Sequence, residues 1–371
     1  MGLDMKVLML STKANGKCGI GVYTENLVGE LKKNVDVTSA FIDPLNVNPF
    51  YFLRTAVTGA KGYDVVHVQF DYPFFGRLWR ITGIYIPIFF TALHLLSLIS
   101  HFKVVTTLHE IWEPGNPPRF GKLGVLYATL VNEFVFSFSD SLVVLSESAG
   151  DRLAEQGVPN SKIILVHHGS NMPTFIDKIE CKKIIGLNGK IKIITLLGHI
   201  KKSKGHDLLI KVARYLSRDT IVLIAGDAYG DEDRRYLEEL KRDAFERIVF
   251  HGFVEDNEMP VILNATDIMV LPYRETTQSG ILNLSLAYGI PSVASDLPYF
   301  KEICRKYGCI LLFKSEDATS LLDHINRLLS DTKLQDRLRK CCRKYRIDNT
   351  FGNAAKKTAS LYYNLTRNPR K

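Results

Sequence analysis

The run Leu197-Gly198-His199-Ile200-Lys201-Lys202-Ser203-Lys204-Gly205 holds three lysines within four positions, bracketed by glycines. It follows a strand-like stretch and precedes a helix-like one. Its ammonium groups can therefore converge on a phosphate beside that helix's N-terminus. A solvated basic turn has the same composition, so this run alone leaves both readings open. A second run, Pro272-Tyr273-Arg274-Glu275-Thr276-Thr277-Gln278-Ser279-Gly280, ends an apolar strand and opens the apolar stretch Ile281–Tyr288. Thr277, Ser279 and the Gly280 amide make another helix start suited to an anion, with Glu275 near enough to accept sugar hydroxyls. An ordinary N-cap also uses Ser or Thr here. A third run, Gly16-Lys17-Cys18-Gly19-Ile20-Gly21, follows the first strand, and its glycines let backbone approach a ligand closely. Its spacing is not G-x-G-x-x-G and no acid stands where a ribose ligand would, so a plain tight turn remains open. Lysine turn and hydroxyl-rich helix start within one domain together suit a diphosphate without a metal. The acidic run Asp231-Glu232-Asp233 sits at a helix start, where the dipole alone favours acids.

These runs need elements to position them. Short, apolar, β-branched segments predict strands at Lys6–Leu10, Val65–Phe70, Val104–Leu108, Ser141–Leu145 and Lys162–Val166. Helical stretches separate them, among them Gly21–Lys32 and Leu123–Phe138. The pattern breaks around Gly169–Asn188 and then restarts. Strands are predicted at Lys192–Leu197, Thr220–Ala225, Ile248–His251, Ile268–Leu271 and Pro291–Ala294. Helices are predicted near Asp207–Leu216 and Glu232–Phe245, and after Ser279. Buried parallel strands read as such uninterrupted apolar runs. Two doubly wound α/β domains facing a cleft are the economical architecture, and a chain of 371 residues has the length for two domains of ~150–200. The boundaries fall at 1–170 and 171–350, with 351–371 a basic C-terminal helix expected to pack back towards the first domain.

Hydrophobic residues at 46% and charged residues at 23% are ordinary for a globular chain, which argues against extensive disorder. The net charge of +9 is local: from Arg339 to Lys371 ten basic residues face Asp348 alone, and the remainder is neutral. An extended basic stripe for nucleic acid is thus not expected. The basic end either faces an anionic membrane or is a solvated helix face. Six cysteines include no C-x-x-C and no partner His spacing for zinc, which fits a reducing cytoplasm. From Ile81 to Phe102 there is no Asp, Glu, Lys or Arg, long enough to span ~30 Å as a helix. Because it lies between two strands of the alternating pattern, a buried crossover helix is expected. A helix docking on a bilayer by its apolar face is the alternative.

In this order and spacing the motifs resemble the retaining GT-B glycosyltransferases of family 4. Cys18-Gly19-Ile20-Gly21-Val22-Tyr23-Thr24 is similar to that family's opening glycine loop, and His67-Val68-Gln69 and Thr107-Leu108-His109-Glu110 to its cleft-facing strand ends. Gly198 to Gly205 matches its glycine, basic residue and final Lys-Gly. Phe250-His251-Gly252-Phe253 and Asp267 to Pro272 fall where later strands do. Thr277-Gln278-Ser279-Gly280 with Ala287-Tyr288-Gly289-Ile290-Pro291 resembles a branch acting on polysaccharide or lipid-linked acceptors. The resemblance implies that Lys204 holds the donor diphosphate. His199 stands where many members carry Arg, so Lys201 would supply the second charge. Gly19, Gly21, Thr277, Gln278, Ser279 and Gly280 would complete the donor site. His109 would contact the donor sugar near the reacting carbon, with Glu275 on its hydroxyls; a core histidine is the other reading. Tyr23, His67 and Gln69 would line the acceptor side, or form a satisfied strand-end pair in the case of the last two.

One departure concerns carboxylates. Many members carry a second Glu for the nucleotide ribose, whereas Asn283 stands eight after Glu275, and aligning the helices brings Leu284 or Ser285 there. The implied reaction is hexosyl transfer from a nucleoside diphosphate sugar to an acceptor hydroxyl, a saccharide or lipid-linked precursor. It would proceed with retention, without a metal or other cofactor, in the cytoplasm or at the membrane's cytoplasmic face. A sugar-nucleotide epimerase of similar fold, or a GT-B-like binding protein without catalysis, are the alternatives.

Overall fold

The computed structural model describes residues 5–14, 18–59, 62–78, 81–112 and 121–367, so Gly16 and Lys17 of the glycine loop and Arg370 and Lys371 of the basic end lie outside them. The chain divides into two units, Met1–Gly169 with Phe351–Lys371, and Ser170–Thr350.

The first unit is built on β1 (Lys6–Ser11), β2 (Asp36–Phe41), β3 (Val65–Phe70), β6 (Lys103–Leu108), β7 (Ser141–Val144) and β8 (Ile163–Leu165), with a small antiparallel pair, β4 (Arg77–Leu78) and β5 (Ile81–Thr82), between β3 and β6. The six-stranded sheet is parallel throughout, in the order β2-β1-β3-β6-β7-β8. Alternation along each strand sorts side chains to two faces. Leu8, Leu10, Val66, Val68 and Val104 pack under α2 (Pro49–Gly59), α3 (Ile86–Ser100) and α4 (Gly121–Phe138), while α5 (Glu147–Glu155) adds Ala149 and Leu153 to the same cluster. Val7, Met9, Val65 and Val105 face the other way, against α1 (Gly19–Leu31) and the C-terminal helix α14 (Phe351–Arg367). Tyr362 of α14 hydrogen-bonds the His67 Nδ1 at 2.5 Å, which ties that helix to the centre of the sheet.

Two local expectations change. The helix expected from Gly21 begins at Gly19, so both glycines belong to its first turn. A Cβ on Gly21 would lie 2.5 Å from the Lys13 carbonyl oxygen, so that glycine is required by close packing, whereas nothing stands within 4 Å of one on Gly19. The uncharged stretch 81–102 contains β5 and α3, not one long helix. At 15 residues α3 is about 22 Å long, and no helix among the described residues is long and apolar enough to cross a membrane.

The second unit repeats the plan with β9 (Lys192–Leu197), β10 (Thr220–Ala225), β11 (Ile248–Gly252), β12 (Ile268–Leu271), β13 (Ser292–Ser295) and β14 (Ile310–Phe313), parallel in the order β11-β10-β9-β12-β13-β14. Its helices are α6 (Lys178–Ile184), α7 (His206–Ala213), α8 (Asp231–Asp243), α9 (Met259–Ala265), α10 (Gly280–Tyr288), α11 (Pro298–Tyr307), α12 (Ala318–Ser330) and α13 (Thr332–Asp348). Short side chains start several of them: the carboxylates of Asp177, Asp317 and Asp331 cap α6, α12 and α13 through the amides of Glu180, Ser320 and Leu334. Asp231, Glu232 and Asp233 occupy the first turn of α8. The basic end is not one element: Arg339 to Arg346 lie on α13 of the second unit, and Lys356, Lys357 and Arg367 on α14 of the first.

A buried ion cluster fixes the entry to the second sheet. Asp267, just before β12, meets Lys182 at 2.7 Å and Lys178 at 3.0 Å and accepts from the Ile193 amide at 2.9 Å. Burial raises the Asp267 pKa, but these partners outweigh it and hold the carboxyl below its ordinary value. Asp267→Ala would leave the Lys182 ammonium, 3% exposed, without its counter-ion. The expected loss is about 3–5 kcal/mol in urea unfolding. In the native protein the contribution is present at neutral pH and is lost as pH falls through the lowered Asp267 pKa; a pH-independent difference between the two proteins would contradict it.

Candidate functional site

In the second sheet the chain leaves β9 towards β10 on one side, and β12 towards β13 on the other. The loops after β9 and β12 therefore diverge at the carboxyl ends of neighbouring strands, where open α/β sheets leave a crevice. Both chemistry-bearing runs of this unit are those loops. Residues 202–204 form a single 3-10 turn ending at Gly205, in the left-handed conformation with φ 68°. A Cβ there would stand 2.0 Å from the Pro272 carbonyl oxygen, so the lysine loop presses backbone to backbone on the other loop. The Arg274 amide donates to the Ser203 carbonyl at 2.8 Å.

Arg274 completes the junction. Its guanidinium grips both Asp207 oxygens (2.9 and 2.7 Å), bonds Glu316, and donates to the Lys202 carbonyl. Asp207 in the first turn of α7 also accepts from the Tyr236 hydroxyl at 2.6 Å. The fork matches carboxylate geometry and fixes loop and helix together.

On this frame two of the three lysines are brought together. The Lys204 ammonium lies 3.6 Å from the Tyr273 ring centroid. Burial first, and the charge of Lys201 second, push its pKa down to about 7, with Glu275 opposing them. His199, stacked edge-on against Tyr229 at 4.3 Å, is pushed down to about 4 by burial, then by Lys201 and Lys204. It is neutral at pH 7. Lys202 is exposed and takes part through its carbonyl, so the expected convergence of three ammonium groups reduces to Lys201 and Lys204.

At the other loop Ser279 is the N-cap of α10, its hydroxyl accepting from the Leu282 amide at 3.1 Å. That hydroxyl is committed to the helix, leaving the first amides, of Gly280 and Ile281, as those a helix start leaves without intrahelical acceptors. Thr276 donates to the Gln278 carbonyl at 2.5 Å, and the buried Gln278 Oε1 has no hydrogen-bond partner among the described residues. An unsatisfied buried acceptor is costly and suits a ligand donor. Glu275 is exposed. Asn283 faces the core, its Oδ1 accepting from Tyr299 at 2.9 Å and from Tyr345, and the Ser285 hydroxyl returns to the Ile281 carbonyl at 2.8 Å. Neither residue replaces the ribose carboxylate.

In the first unit the expected residues form a buried relay at the end of β3 and β6. His109 donates from Nε2 to the Gln69 Oε1 at 2.8 Å, and the His67 Nε2 lies 2.7 Å from the Thr107 hydroxyl. His67 and Gln69 are wholly buried, with Tyr362, Thr107, Met9 and His109 as partners. They stand as the satisfied strand-end pair, one of the two readings the sequence left open, and Gln69 positions His109. Burial first, then His168 and His67, lower the His109 pKa to about 3, so its imidazole is neutral, with the proton on Nε2. Tyr23, in the second turn of α1, stands edge-on to His109 at 5.1 Å. In the second unit two residues of the second run, with no role assigned from the sequence, also matter: Arg274 acts through Asp207 and Glu316, and Tyr273 supplies the ring under Lys204. Glu316 lies 42 positions from Arg274, a separation that no spacing rule in the sequence reveals.

Two parallel, doubly wound units, one ending in a crevice that gathers Lys201, Lys204 and a helix start, define the class of fold. The comparisons place it among known proteins. The family model "Glycosyltransferase Family 4" matches residues 18–172, and "Glycosyl transferases group 1" matches residues 177–345. The O-antigen biosynthesis glycosyltransferase WclY of Escherichia coli is 22% identical over 364 residues, 91% of this chain and 95% of its own. The lipopolysaccharide core biosynthesis mannosyltransferase LpsB of Rhizobium meliloti is 30% identical over 215 residues, 54% of this chain and 58% of its own. Among solved structures, Anabaena HepE in complex with UDP and glucose superposes with a TM-score of 0.77 at 15% identity, covering 97% of this chain and all of that one. Sucrose-phosphate synthase from Thermosynechococcus elongatus gives 0.79 at 17%, covering 98% and 99%. At these identities the structures speak for the fold. With its two halves matched by glycosyltransferase models, the chain belongs to the GT-B glycosyltransferases and is a transferase.

Because the Lys204 pKa is pushed down to about 7, an anion bound beside it should draw a proton onto the Lys204 amine at higher pH. Affinity for a nucleoside diphosphate is expected to fall above pH ~7, by up to tenfold per unit, with proton uptake in calorimetry at pH 8. Lys204→Arg should abolish both. Affinity flat from pH 6 to 9 in the native protein would separate Lys204 from the bound anion.

Proposed function

We propose that this enzyme transfers a hexosyl group from a nucleoside diphosphate sugar to a hydroxyl of a saccharide or lipid-linked acceptor, with retention and without a metal. The observation that carries the reading is Lys204. It is a desolvated cation beside Lys201, at the crevice where the α10 helix start also opens. As the glycosidic bond breaks, charge develops on the leaving diphosphate. Preorganised ammonium and amide groups in a poorly solvated site stabilise that charge without reorganising. Lys204 and Lys201 take the phosphates together with the Gly280 amide, and Gln278 Oε1 accepts a hydrogen bond from the donor. Glu275 accepts from the sugar hydroxyls. The neutral His109 suits a sugar hydroxyl better than a phosphate.

In this reading His199 lies beside the phosphates. Tyr23 belongs to the acceptor side. The acceptor class draws on WclY and LpsB, whose names place them in O-antigen and lipopolysaccharide core biosynthesis. HepE, held with UDP and glucose, favours a nucleoside diphosphate as the ligand. Retention rests on the resemblance to family 4. We assign the reaction to the cytoplasm, at the inner face of the membrane.

Removing the Lys204 charge should act on the phosphates and leave the base alone. Lys204→Ala is expected to weaken nucleoside diphosphate binding ~10–100-fold, as loss of a charge-assisted hydrogen bond does, and to change binding of the bare nucleoside less than twofold. Equal losses for both ligands would remove Lys204 from the diphosphate. With a productive donor and acceptor, turnover should survive excess chelator, and NMR of the first-formed product should show the donor's anomeric configuration. Inactivation restored by a divalent cation would overturn the metal-free reading, and an inverted product would overturn retention.

A further inference from the structure

We propose that the outer surface of the α2–α3–α4 layer docks on an anionic lipid bilayer. The two helical layers of the first unit differ sharply. On α1 and α14 no large hydrophobic side chain is exposed among the described residues. On the opposite layer every helix presents some: Phe50 (74%) and Leu53 on α2, Leu95 and Ile99 (76%) on α3, Leu123 (75%) and Leu126 on α4. In each helix they recur at helical spacing, while intervening residues such as Phe52, Phe90 and Val131 fill the core beneath. The helices pack side by side, α2 on α3 and α3 on α4, so the three stripes form one surface.

The chemistry of this surface selects a bilayer over a protein. The exposed residues of α3, in the middle, are aliphatic apart from Ser100 at its last position, and the helix contains no Asp, Glu, Lys or Arg. A protein interface of this area would need hydrogen-bonding groups at its rim and aromatic or Arg anchors near its centre. An acyl-chain boundary needs neither. The flanking helices carry the exposed cations Arg54 and Lys122, next to Leu53 and Leu123. Phosphate headgroups would take these cations while the aliphatic centre entered the boundary region. The exposed carboxylate of the layer, Glu133, lies about three turns along α4 from Lys122 and accepts from the Ser137 hydroxyl at 2.6 Å. Single exposed hydrophobics are ordinary, but a contiguous set of this extent marks an interaction surface. With α3 half-buried on the sheet, the contact lies on the membrane and does not cross it.

This inference does not depend on the donor chemistry, and its test keeps the two apart. The full chain is floated with vesicles of phosphatidylglycerol and phosphatidylethanolamine, and with vesicles of phosphatidylcholine alone. Binding is expected to the first and to be at least tenfold weaker to the second. Leu95→Glu/Ile99→Glu, both at exposed positions, should reduce binding to the anionic vesicles at least tenfold. Arg54→Glu/Lys122→Glu should do so with the aliphatic centre intact. Circular dichroism and an unchanged thermal midpoint would show that both variants are folded. Unchanged vesicle binding by the folded Leu95→Glu/Ile99→Glu variant would overturn the proposal, as would absence of binding by the native chain. So would a dimer in sedimentation velocity, abolished by Leu95→Glu/Ile99→Glu without vesicle binding, because the face would then belong to a second copy.

Discussion

The candidate site depends on one close approach, the backbone of Gly205 against the carbonyl of Pro272. Only a residue without Cβ, in the left-handed region, allows it. Once the two loops touch, the rest follows from where their neighbours must go. Arg274, two residues beyond Pro272, reaches the Lys202 carbonyl and the Asp207 carboxylate. Tyr273 passes beneath Lys204 and removes water from its ammonium. The lowered Lys204 pKa is a consequence of that contact together with the charge of Lys201. A cation kept in such surroundings is held at a cost, which a bound anion would lower.

The first unit applies the same economy differently. Its polar groups at the strand ends are spent on one another: His67 on Tyr362 and Thr107, and Gln69 on His109. The relay leaves His109 oriented and neutral, and Tyr362 joins it to α14, whose Phe351, Ala354, Ala355 and Leu361 also pack into the same core. These contacts make α14 part of the first unit although the whole second unit precedes it in sequence. On the other face of this sheet the helices keep an apolar exterior that the core does not use. A sheet with one ordinary helical layer and one doubly apolar layer is asymmetric in a way that folding alone does not require.

Much of the fold was legible in the sequence. Buried parallel strands are short, continuous apolar runs, and Val65–Phe70, Lys192–Leu197, Thr220–Ala225 and Ile268–Leu271 stand where those runs are. β2, with the mixed sequence DVTSAF at a sheet edge, gave no such signal, because an edge strand is half exposed. The long uncharged stretch suggested one helix, but Gly83 with φ 77° and the antiparallel β4–β5 pair break it, and hydrophobicity alone does not register either. The loops that gather cations were also visible, since glycines, lysines and hydroxyl residues at strand ends are local signals.

What the sequence determined by itself is therefore the place of most of the buried strands, the lysine turn, and the hydroxyl-rich start of α10. Each is a property of a few consecutive residues. Only the tertiary structure decided which of those residues act together. Lys202 turns out to serve through its backbone, and Ser279 is spent on a cap. His67 and Gln69 are enclosed as supports, and Asn283 is turned into the core by Tyr299 and Tyr345. Tyr273 and Arg274 gain importance through Lys204, Asp207 and Glu316, partners 42 to 69 positions away. The physical reason is that burial and charge coupling depend on distances in space, and the chain sets those only when its sheets have closed.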